Sequence, residues 1–327
     1  MRVLVLGATG FVGQAVIRHL LRTRGTEIIA AGRRWPAGNA DQGVDYRVFD
    51  GTDAAALLEA ATGVSHIVNC VMGPGDTMAK TTGNVCEAAV RAGVERVVHF
   101  SSSAVYGATT GIITESTSIA HGTDWYGAAK VACEATVAEY AERGPGHVLL
   151  RPTCIYGPGS QQWTGRIGRL LLAHRLGDLG VAGDGCCNLV HIGDVCAAVQ
   201  SALSLTGSGV ETYLLSGPPL PTWNNYFLAF ARVLGAVPLL RLPDWRVGME
   251  GQILAPALRI GEMALAVIGA RSVRVPDSIT PSMLRAFRLD ATYDGSRAAR
   301  ALGLRWTPVA DGLIDAAAWV RATLPCI

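Results

Sequence analysis

A glycine-rich loop between a strand-like run and a helix-like run is the feature that most restricts the fold of this chain. Residues 3–6 are all apolar, as expected of a strand that is buried on both faces of a parallel sheet. The loop GATGFVG follows at once, at residues 7–13. Apolar residues then recur at helical spacing, at Val12, Val16, Ile17, Leu20 and Leu21. Because glycines at such a junction let the backbone approach a pyrophosphate at a helix N-terminus, the loop predicts a dinucleotide-binding unit.

The first half of the chain repeats this alternation of short apolar runs and helical patterns. Further strands are predicted at residues 27–31, 46–49, 65–70, 94–101 and 148–151. Helices are predicted at residues 53–61, with Asp53 as the N-cap, and at residues 82–92 and 124–143. Such an alternation is typical of a parallel sheet with helices on both faces. The predicted fold class is therefore α/β, a Rossmann-type doubly wound parallel sheet.

The pattern becomes irregular after Arg151, where proline and glycine cluster at residues 151–159 and again at 216–221. Strands are still predicted at residues 188–192 and 211–216, on either side of a helix at residues 194–205, and we expect both to return to the sheet. We therefore predict an NAD(P)-binding domain at residues 1–156, with a returning segment at about 188–216. Residues 157–187 and 217–327 are predicted to form a smaller, mostly helical substrate-binding lobe, with the substrate in the cleft between the two.

The composition argues against two classes of partner. The net charge is +2 and aromatic residues make up 6% of the chain, which indicates neither a basic surface nor a base-stacking platform for nucleic acid. The most apolar segment, residues 253–270, carries Arg259 and Glu262 near its middle and does not predict a membrane-spanning helix. We expect a small-molecule substrate, and neither nucleic acid nor a membrane as a partner.

Cysteine and histidine usage bears on location and on metal binding. The eight cysteines are scattered without a CxxC pair, which favours a reducing, cytoplasmic location with mostly buried thiols. The seven histidines show no metal-ligand spacing. We therefore predict a cytoplasmic protein without a metal site.

Tyr126 and Lys130 are the candidate acid/base pair. They lie four residues apart on a predicted helix, so both project from one face. A neighbouring ammonium, together with an oxidised nicotinamide, favours the phenolate and suits a tyrosine for general acid/base work. Ser102 ends a predicted parallel strand, where it can hold a substrate oxygen against Tyr126, and Ser103 is the alternative serine. The alternative interpretation of Tyr126 and Lys130 is an exposed helical pair without a catalytic role.

Five motifs, in order, resemble the extended members of the short-chain dehydrogenase/reductase superfamily. They are GATGFVG at residues 7–13, SSSAVYG at 101–107, YGAAK at 126–130, RPTCIYGP at 151–158 and NLVHIGDV at 188–195. The resemblance spans nearly the whole chain. It implies that Ser102, Tyr126 and Lys130 are catalytic and that Lys130 also binds a cofactor ribose. It further implies that the predicted helices at 82–92 and 124–143 can form the interface of a homodimer.

The end of the second predicted strand bears on the choice of cofactor. A free ribose 2′-hydroxyl usually meets Asp or Glu there, whereas a 2′-phosphate is accommodated by Arg. The chain has Arg33 and Arg34 at this point, which predicts NADP(H); if both are merely solvated surface charges, NAD is the alternative. Asp50 resembles the family's adenine contact, or else it caps the next helix. The residues predicted to contact the dinucleotide are Gly7, Thr9, Gly10, Phe11, Val12, Gly13, Arg33, Arg34, Asp50, Cys70, Val71, Met72, Ser101, Tyr126, Lys130 and Pro152.

The favoured function is an NADP(H)-dependent oxidoreductase that interconverts a carbonyl and an alcohol on a small molecule. Residues 183–188 lack the arginine that binds the diphosphate in sugar-nucleotide epimerases and dehydratases, which favours reductases of the sterol-dehydrogenase-like or dihydroflavonol-reductase-like kind. An NAD-dependent sugar-nucleotide epimerase or dehydratase is the alternative, with Arg166 and Arg169 as replacement cations. A non-catalytic dinucleotide-sensing protein is the second alternative, although such members tend to lose the Tyr126 and Lys130 pair.

Overall fold

Seven parallel strands form the central sheet of the computed structural model, which describes residues 1–34, 41–120, 124–258, 260–261 and 276–323. The strands of these residues are β1 Arg2–Leu6, β2 Glu27–Gly32, β3 Val44–Val48, β4 His66–Asn69, β5 Arg96–Phe100, β6 Gly111–Ile113, β7 Gly146–Pro152, β8 Cys154–Tyr156, β9 Leu189–His191, β10 Val210–Leu215 and β11 Ala291–Tyr293. The order across the main sheet is β10-β7-β5-β4-β1-β2-β3, so the predicted doubly wound parallel sheet is confirmed.

Helices cover both faces of this sheet and build most of the second lobe. Within the described ranges they are α1 Phe11–Leu20, α2 Ala54–Ala61, α3 Gly75–Ala92, α4 Trp125–Ala138, α5 Ile167–Leu172, α6 Ile192–Leu203, α7 Trp223–Leu234, α8 Asp244–Met249, α9 Pro281–Arg288, α10 Ser296–Ala301 and α11 Val309–Thr323. Polar N-caps begin several of them, as the sequence predicts. Asp53, for example, accepts hydrogen bonds from the backbone N–H groups of Ala55 and Ala56 at the start of α2.

Alternate residues of β1 supply two separate hydrophobic cores. Val3 and Val5 pack in the cluster that includes residues of α1 and α6, while Leu4 and Leu6 pack in the cluster that includes residues of α2 and α3. Because successive side chains of a strand point to opposite faces, an unbroken apolar strand serves both layers at once. This explains why the first strand is apolar at every interior position.

A third hydrophobic core belongs to the second lobe and is rich in aromatic side chains. Trp223, Tyr226, Phe227 and Phe230 of α7 are fully buried and contact one another and Phe287 of α9. Tyr156 and Leu189 also pack in this core, close to the predicted domain boundaries. The boundaries themselves stay a prediction.

Three sequence-based elements differ from the observed ones by more than a shift of one or two residues at an end. Helix α3 begins at Gly75 rather than at residue 82, because Asp76 supports the first turn of a segment whose glycine and threonines are weak helix formers. Helix α4 ends at Ala138 rather than at residue 143, and two turns then lead the chain back towards β7. Strand β9 pairs with β8 instead of the main sheet, because β10 occupies the edge beside β7.

One further prediction concerns the apolar segment at residues 253–270. Arg259 and residues 262–270 of that segment lie outside the described residues. In the part of the chain that the structure describes, no helix combines the length and the apolarity that crossing a bilayer requires.

Candidate active site

The predicted site residues gather at the edge of the sheet where the parallel strands end. The glycine loop follows β1, Cys70 follows β4, and Ser101 and Ser102 follow β5. Helix α4 brings Tyr126 and Lys130 to the same edge. Ligands of doubly wound sheets bind outside these carboxyl ends, so the topology places the candidate residues where a ligand is expected.

Two glycines of the loop are required by the packing of the protein itself. Gly7 has a φ of +70°, and a Cβ atom there would lie 2.6 Å from the carbonyl oxygen of Cys70. A Cβ atom on Gly13 would lie 2.3 Å from the carbonyl oxygen of Gly7. Because neither position carries a Cβ atom, the loop packs directly on Cys70 after β4, and the start of α1 packs directly on Gly7.

Gly10 differs from the other two because it is exposed and its φ of −78° suits any residue. Among the described residues other than its chain neighbours and its own helix, a Cβ built there would come within 4 Å of the carbonyl oxygen of Gly7 alone, at 3.2 Å. The missing side chain therefore leaves room directly in front of α1. This is the cradle that a closely bound pyrophosphate needs.

The N-terminus of α1 is suited to an anion. Gly10 is the N-cap residue and provides no side-chain cap, and no acidic residue lies in the first turn. The first backbone N–H groups of a helix lack partners within the helix, and its dipole favours negative charge there. The exposed Thr9 lies beside this opening, and Phe11 and Val12 follow it. The loop thus fits the pyrophosphate of a dinucleotide.

Arg33 and Arg34 are both exposed just beyond β2. Asp50 lies near Arg33, at the end of β3, and accepts hydrogen bonds from the backbone N–H and the hydroxyl of Thr52, each at 2.9 Å. These bonds, with smaller contributions from Arg33 and Lys80, lower the pKa of Asp50. Asp50 therefore stabilises the turn before α2, while Asp53 caps that helix.

The three residues after β4, Cys70, Val71 and Met72, differ in their burial and in their contacts. Cys70 packs beneath Gly7, and burial raises the pKa of its thiol, so it is not a reactive thiolate. The backbone N–H of Val71 donates to the side-chain oxygen of Asn69 at 3.2 Å. The side chain of Met72 is 65% exposed and lines the open edge.

The structure brings Ser102, Tyr126 and Lys130 together. The phenol of Tyr126 lies close enough to the hydroxyl of Ser102 for that hydroxyl to lower its pKa, and Oγ of Ser102 accepts the backbone N–H of Ala104 at 3.1 Å. Nζ of Lys130 donates to the carbonyl oxygen of Phe100 at 2.6 Å and lies 5.9 Å from the centre of the Tyr126 ring. This arrangement is suited to hold a substrate oxygen between a serine and a tyrosine.

Burial dominates the proton affinities of this group. It raises the pKa of Tyr126, which the hydrogen bond with Ser102 partly opposes. Burial also lowers the pKa of Lys130, opposed by Cys133, Cys70 and Glu134. The expectation that Lys130 and an oxidised nicotinamide together favour the Tyr126 phenolate stays a prediction; the Lys130 ammonium is hydrogen bonded to the Phe100 carbonyl. Tyr126 is a protonated phenol at neutral pH.

Ser101 and Pro152, the remaining predicted cofactor contacts, are both buried. The hydroxyl of Ser101 donates to Oε1 of Glu134 at 2.5 Å, so it is directed into the protein. Pro152 is the last residue of β7, opposite Leu215 of β10. Any contact of Ser101 with a dinucleotide would therefore involve its backbone.

A buried ion pair beside the site was not predicted. Arg151 of β7 donates from Nε and Nη2 to the two oxygens of Glu134, at 2.8 and 2.5 Å, and from Nη1 to the hydroxyl of Tyr106 at 2.7 Å. The sequence signal for it was available, since Glu134 follows Lys130 by one helical turn and Arg151 and Tyr106 belong to the quoted motifs.

The structure also brings together a group that sequence spacing did not reveal. Cys86, His99 and His147 come from α3, β5 and β7, are buried, and place their ligand atoms within 4.8 Å of one another. Nε2 of His99 lies 3.2 Å from Nδ1 of His147. Burial raises the pKa of Cys86 to about 12 and lowers that of His147 to about 4, so the thiol and the imidazole are neutral.

The replacement cations considered for a diphosphate already have a partner. Nε of Arg169 lies 2.5 Å from Asp277, and Nε of Arg166 lies 3.5 Å from the same carboxylate. One carboxylate thus partly neutralises both guanidinium groups. A diphosphate would have to displace Asp277 to use their full charge.

Comparison with known proteins shows the family of the chain. Residues 3–215 match the model of the NAD dependent epimerase/dehydratase family. The 2-alkyl-3-oxoalkanoate reductase of Stenotrophomonas maltophilia (strain K279a) is 29% identical over 303 residues, which cover 84% of this chain and 90% of that protein. The 2′-dehydrokanamycin reductase of Streptomyces kanamyceticus is 32% identical over 250 residues, which cover 72% of this chain and 67% of that protein.

The fold is also that of solved structures. MoeE5 in complex with UDP-glucuronic acid and NAD superposes with a TM-score of 0.75 at 24% identity, over 99% of this chain and 100% of that one. At this identity the likeness shows the fold alone. Because the family model matches more than half of its residues, the chain belongs to the NAD dependent epimerase/dehydratase family and is an NAD(P)-dependent enzyme of the extended short-chain dehydrogenase/reductase type.

Proposed function

We propose that the protein is an NADP(H)-dependent oxidoreductase that interconverts a ketone or aldehyde with the corresponding alcohol on a small molecule. The observation that carries the proposal is the Tyr126 phenol beside the Ser102 hydroxyl, with Lys130 one turn further along the same helix face. A neutral phenol beside a serine hydroxyl is the pair of donors that a carbonyl oxygen needs during reduction.

Each of the three side chains has a separate task in this proposal. When bound, the dinucleotide supplies the hydride that forms the new C–H bond at the carbonyl carbon. Ser102 donates a hydrogen bond to the carbonyl oxygen and keeps it within reach of Tyr126. The Tyr126 hydroxyl gives its proton to that oxygen, which becomes the alcohol, and the phenolate left behind is stabilised by the nearby Lys130 ammonium. Oxidation of the alcohol runs through the same groups in reverse.

The preference for NADP(H) rests on Arg33 and Arg34. Both guanidinium groups are exposed at the end of β2, where the ribose of a bound dinucleotide is expected. Arginine binds a phosphate monoester through several parallel N–H donors, so these residues suit a 2′-phosphate. A free 2′-hydroxyl would gain no comparable contact from them.

The paired arginines of the second lobe favour a reductase over an enzyme of sugar nucleotides. Arg166 and Arg169 share Asp277 and are not free to bind a diphosphate. Two relatives named as reductases also align with 84% and 72% of the chain. We therefore place the substrate among small carbonyl compounds without a diphosphate.

An epimerase or dehydratase of sugar nucleotides is the second candidate. It is favoured by solved structures that align with nearly the whole chain and contain NAD with a nucleotide sugar, such as MoeE5 with UDP-glucuronic acid. Such an enzyme returns the hydride to its substrate, so its NAD remains bound through the cycle.

The two candidates are separated by the nucleotide that the purified protein retains and by net turnover. Freshly purified protein is acid-denatured, and the released nucleotide is identified with its redox state. Separately, NADPH consumption is followed with 3-oxo acids, cyclic ketones and aldehydes. Reversible binding of NADPH, tighter than that of NADH, together with carbonyl-dependent consumption supports the reductase. Stoichiometric NAD⁺ that survives purification, with no net consumption, supports the second candidate.

We also propose a homodimer built on α3 and α4. Ala128, Ala132 and Ala135 are exposed along one face of α4, and small side chains allow a second helix pair to approach closely. Light scattering on the eluting protein should give twice the mass of one chain, and replacement of Ala132 by Arg should halve it.

A further inference from the structure

Helix α4 meets the end of β5 through three side chains that lie one turn apart. Tyr126 lies beside Ser102, Lys130 donates to the carbonyl oxygen of Phe100, and Glu134 accepts from the hydroxyl of Ser101. Residues at i, i+4 and i+8 share one face of a helix, so a single face of α4 contacts three successive residues of the strand end. The proposed reaction uses two of these contacts and leaves the third unexplained.

The third contact is the most strongly built of the three. Glu134 is 5% exposed, and its two oxygens receive three hydrogen bonds, one from Ser101 and two from Arg151. Arg151 is also 5% exposed and donates a further bond to the hydroxyl of Tyr106. Bidentate arginine–carboxylate bonds restrict both distance and orientation, so they leave Glu134 little freedom.

These bonds connect every element that carries a reacting group. Glu134 belongs to α4, as Tyr126 and Lys130 do, whereas Arg151 belongs to β7. Tyr106 ends the short 3₁₀ turn Ser103–Tyr106, whose N-cap is Ser102. A buried ion pair seldom adds much net stability, because the loss of hydration offsets its attraction, but it does specify geometry when it is fully bonded.

We propose that Glu134, held by Arg151, is a positioning residue that fixes α4 against the ends of β5 and β7 and so sets the contact between Tyr126 and Ser102. This role rests on the proposed oxidoreductase function. Glu134 contacts neither substrate nor dinucleotide in this proposal and acts through the helix that carries Tyr126 and Lys130.

The same carboxylate also acts on the charge of Lys130. The groups that face this ammonium are Glu134 and Cys133 from its own helix, Cys70 after β4 and His99 from β5. Burial raises the pKa of the Cys70 thiol and lowers that of the His99 imidazole, whereas the Glu134 carboxylate raises the pKa of Lys130. Its removal should make the buried Lys130 ammonium easier to deprotonate.

The composition of the chain makes Lys130 directly measurable. Lys80 and Lys130 are its two lysines, so protein labelled with ¹³C-lysine gives one signal from the site and one from an exposed internal reference. We would titrate these signals in the wild type and in Glu134→Gln. Glu250→Gln is the matched control, because Glu250 is also 5% exposed and forms the comparable bidentate pair with Arg175 in the second lobe.

The expected result separates positioning from general destabilisation. Both glutamine variants should unfold at lower temperature, but Glu134→Gln alone should lower kcat, by about 10- to 100-fold, with the KM for NADPH nearly unchanged. The Lys130 signal should titrate at lower pH in Glu134→Gln and not in Glu250→Gln, and the alkaline limb of kcat should move in the same direction. Glu134→Asp should restore part of kcat.

Two outcomes would overturn the proposal. One is a folded Glu134→Gln with wild-type kcat and an unmoved Lys130 titration. If that variant does not fold, the double variant Glu134→Gln, Arg151→Met removes both charges together. Wild-type kcat in this double variant is the second outcome that would overturn the proposal. Loss of activity in Tyr126→Phe but not in Glu134→Gln would reject positioning and leave the proposed function intact. If the wild type reduces no carbonyl compound, the proposed function fails, and the lysine titration still decides whether Glu134 controls Lys130.

Discussion

A Cβ atom built on Gly127 would lie 2.7 Å from the carbonyl oxygen of Ala104. The two residues belong to the helix that carries Tyr126 and to the turn that follows Ser102. Asp124, the N-cap of α4, holds the backbone N–H of Gly127 at 2.8 Å. The close approach of these two backbones therefore sets how near Tyr126 can come to Ser102.

Replacement of Gly127 by Ala should push the start of α4 away from this turn. A displacement of about 1 Å at a reacting group lowers turnover by roughly 100-fold, so we expect a fall in kcat of that order in a folded protein. Gly83→Ala in α3 is the control, because its Cβ would lie 3.8 Å from Thr136, an ordinary contact. Equal activity of the two variants, measured with NADPH and a carbonyl substrate, would contradict the positional argument.

The raised pKa of Tyr126 predicts different pH dependences for the two directions of reaction. The ordinary pKa of a tyrosine is 10.0, and a pKa raised above it keeps the phenol protonated throughout the neutral range. Carbonyl reduction, which uses the phenol, should be nearly independent of pH between about 6 and 9, while alcohol oxidation, which uses the phenolate, should rise with pH. Profiles of kcat/KM in both directions check this, and a reduction rate that falls through neutral pH would count against it.

Tyr126→Phe removes the proton donor and keeps the ring. We expect a loss of about 100-fold or more in kcat, as for the loss of a general acid. Tyr140→Phe, the same change two residues beyond α4, serves as the control and should retain wild-type turnover. Binding of NADPH should be similar in all three proteins, which shows that the loss lies in the chemical step.

Arg33 and Arg34 should control the choice between NADPH and NADH. Replacing both by Ser removes two charge-assisted contacts to a 2′-phosphate, and we expect the Kd for NADPH to rise by about 10- to 100-fold while that for NADH changes little. Arg24→Ser changes another exposed arginine, in the turn after α1, and is the control for a general effect of removing positive charge. Equal weakening of both dinucleotides in the double variant would argue for solvated surface charges.

The buried imidazole of His147 should make the protein less stable in mild acid. Its pKa is about 4 in the folded protein and 6.5 when unperturbed, so between these values the unfolded chain binds a proton that the folded chain does not. The free energy of unfolding should therefore fall as the pH is lowered from about 6.5 towards 4, by up to ~3 kcal/mol from this group. His147→Leu should reduce the dependence, seen as urea midpoints against pH, to what His99 and the other buried histidines contribute, whereas the exposed His174→Asn should leave it unchanged.

Local sequence determined the fold and most of the candidate site. The unbroken apolar β1, the loop at residues 7–13 and the alternation after it predicted the doubly wound sheet, because strand and helix periodicities are properties of short segments. The four-residue spacing of Tyr126 and Lys130 predicted their shared face for the same reason.

Only the tertiary structure decided how these parts meet. The bond from Ser101 to Glu134, the pairing of Glu134 with Arg151 of β7 and the sharing of Asp277 by Arg166 and Arg169 join residues that are 17 to 111 positions apart. Such contacts depend on the order of the strands and on the rotation of each helix, which periodicity does not specify. Burial, which raises the pKa of Tyr126, is likewise a property of the packed molecule, since the dielectric around a side chain is set by neighbours from the whole chain.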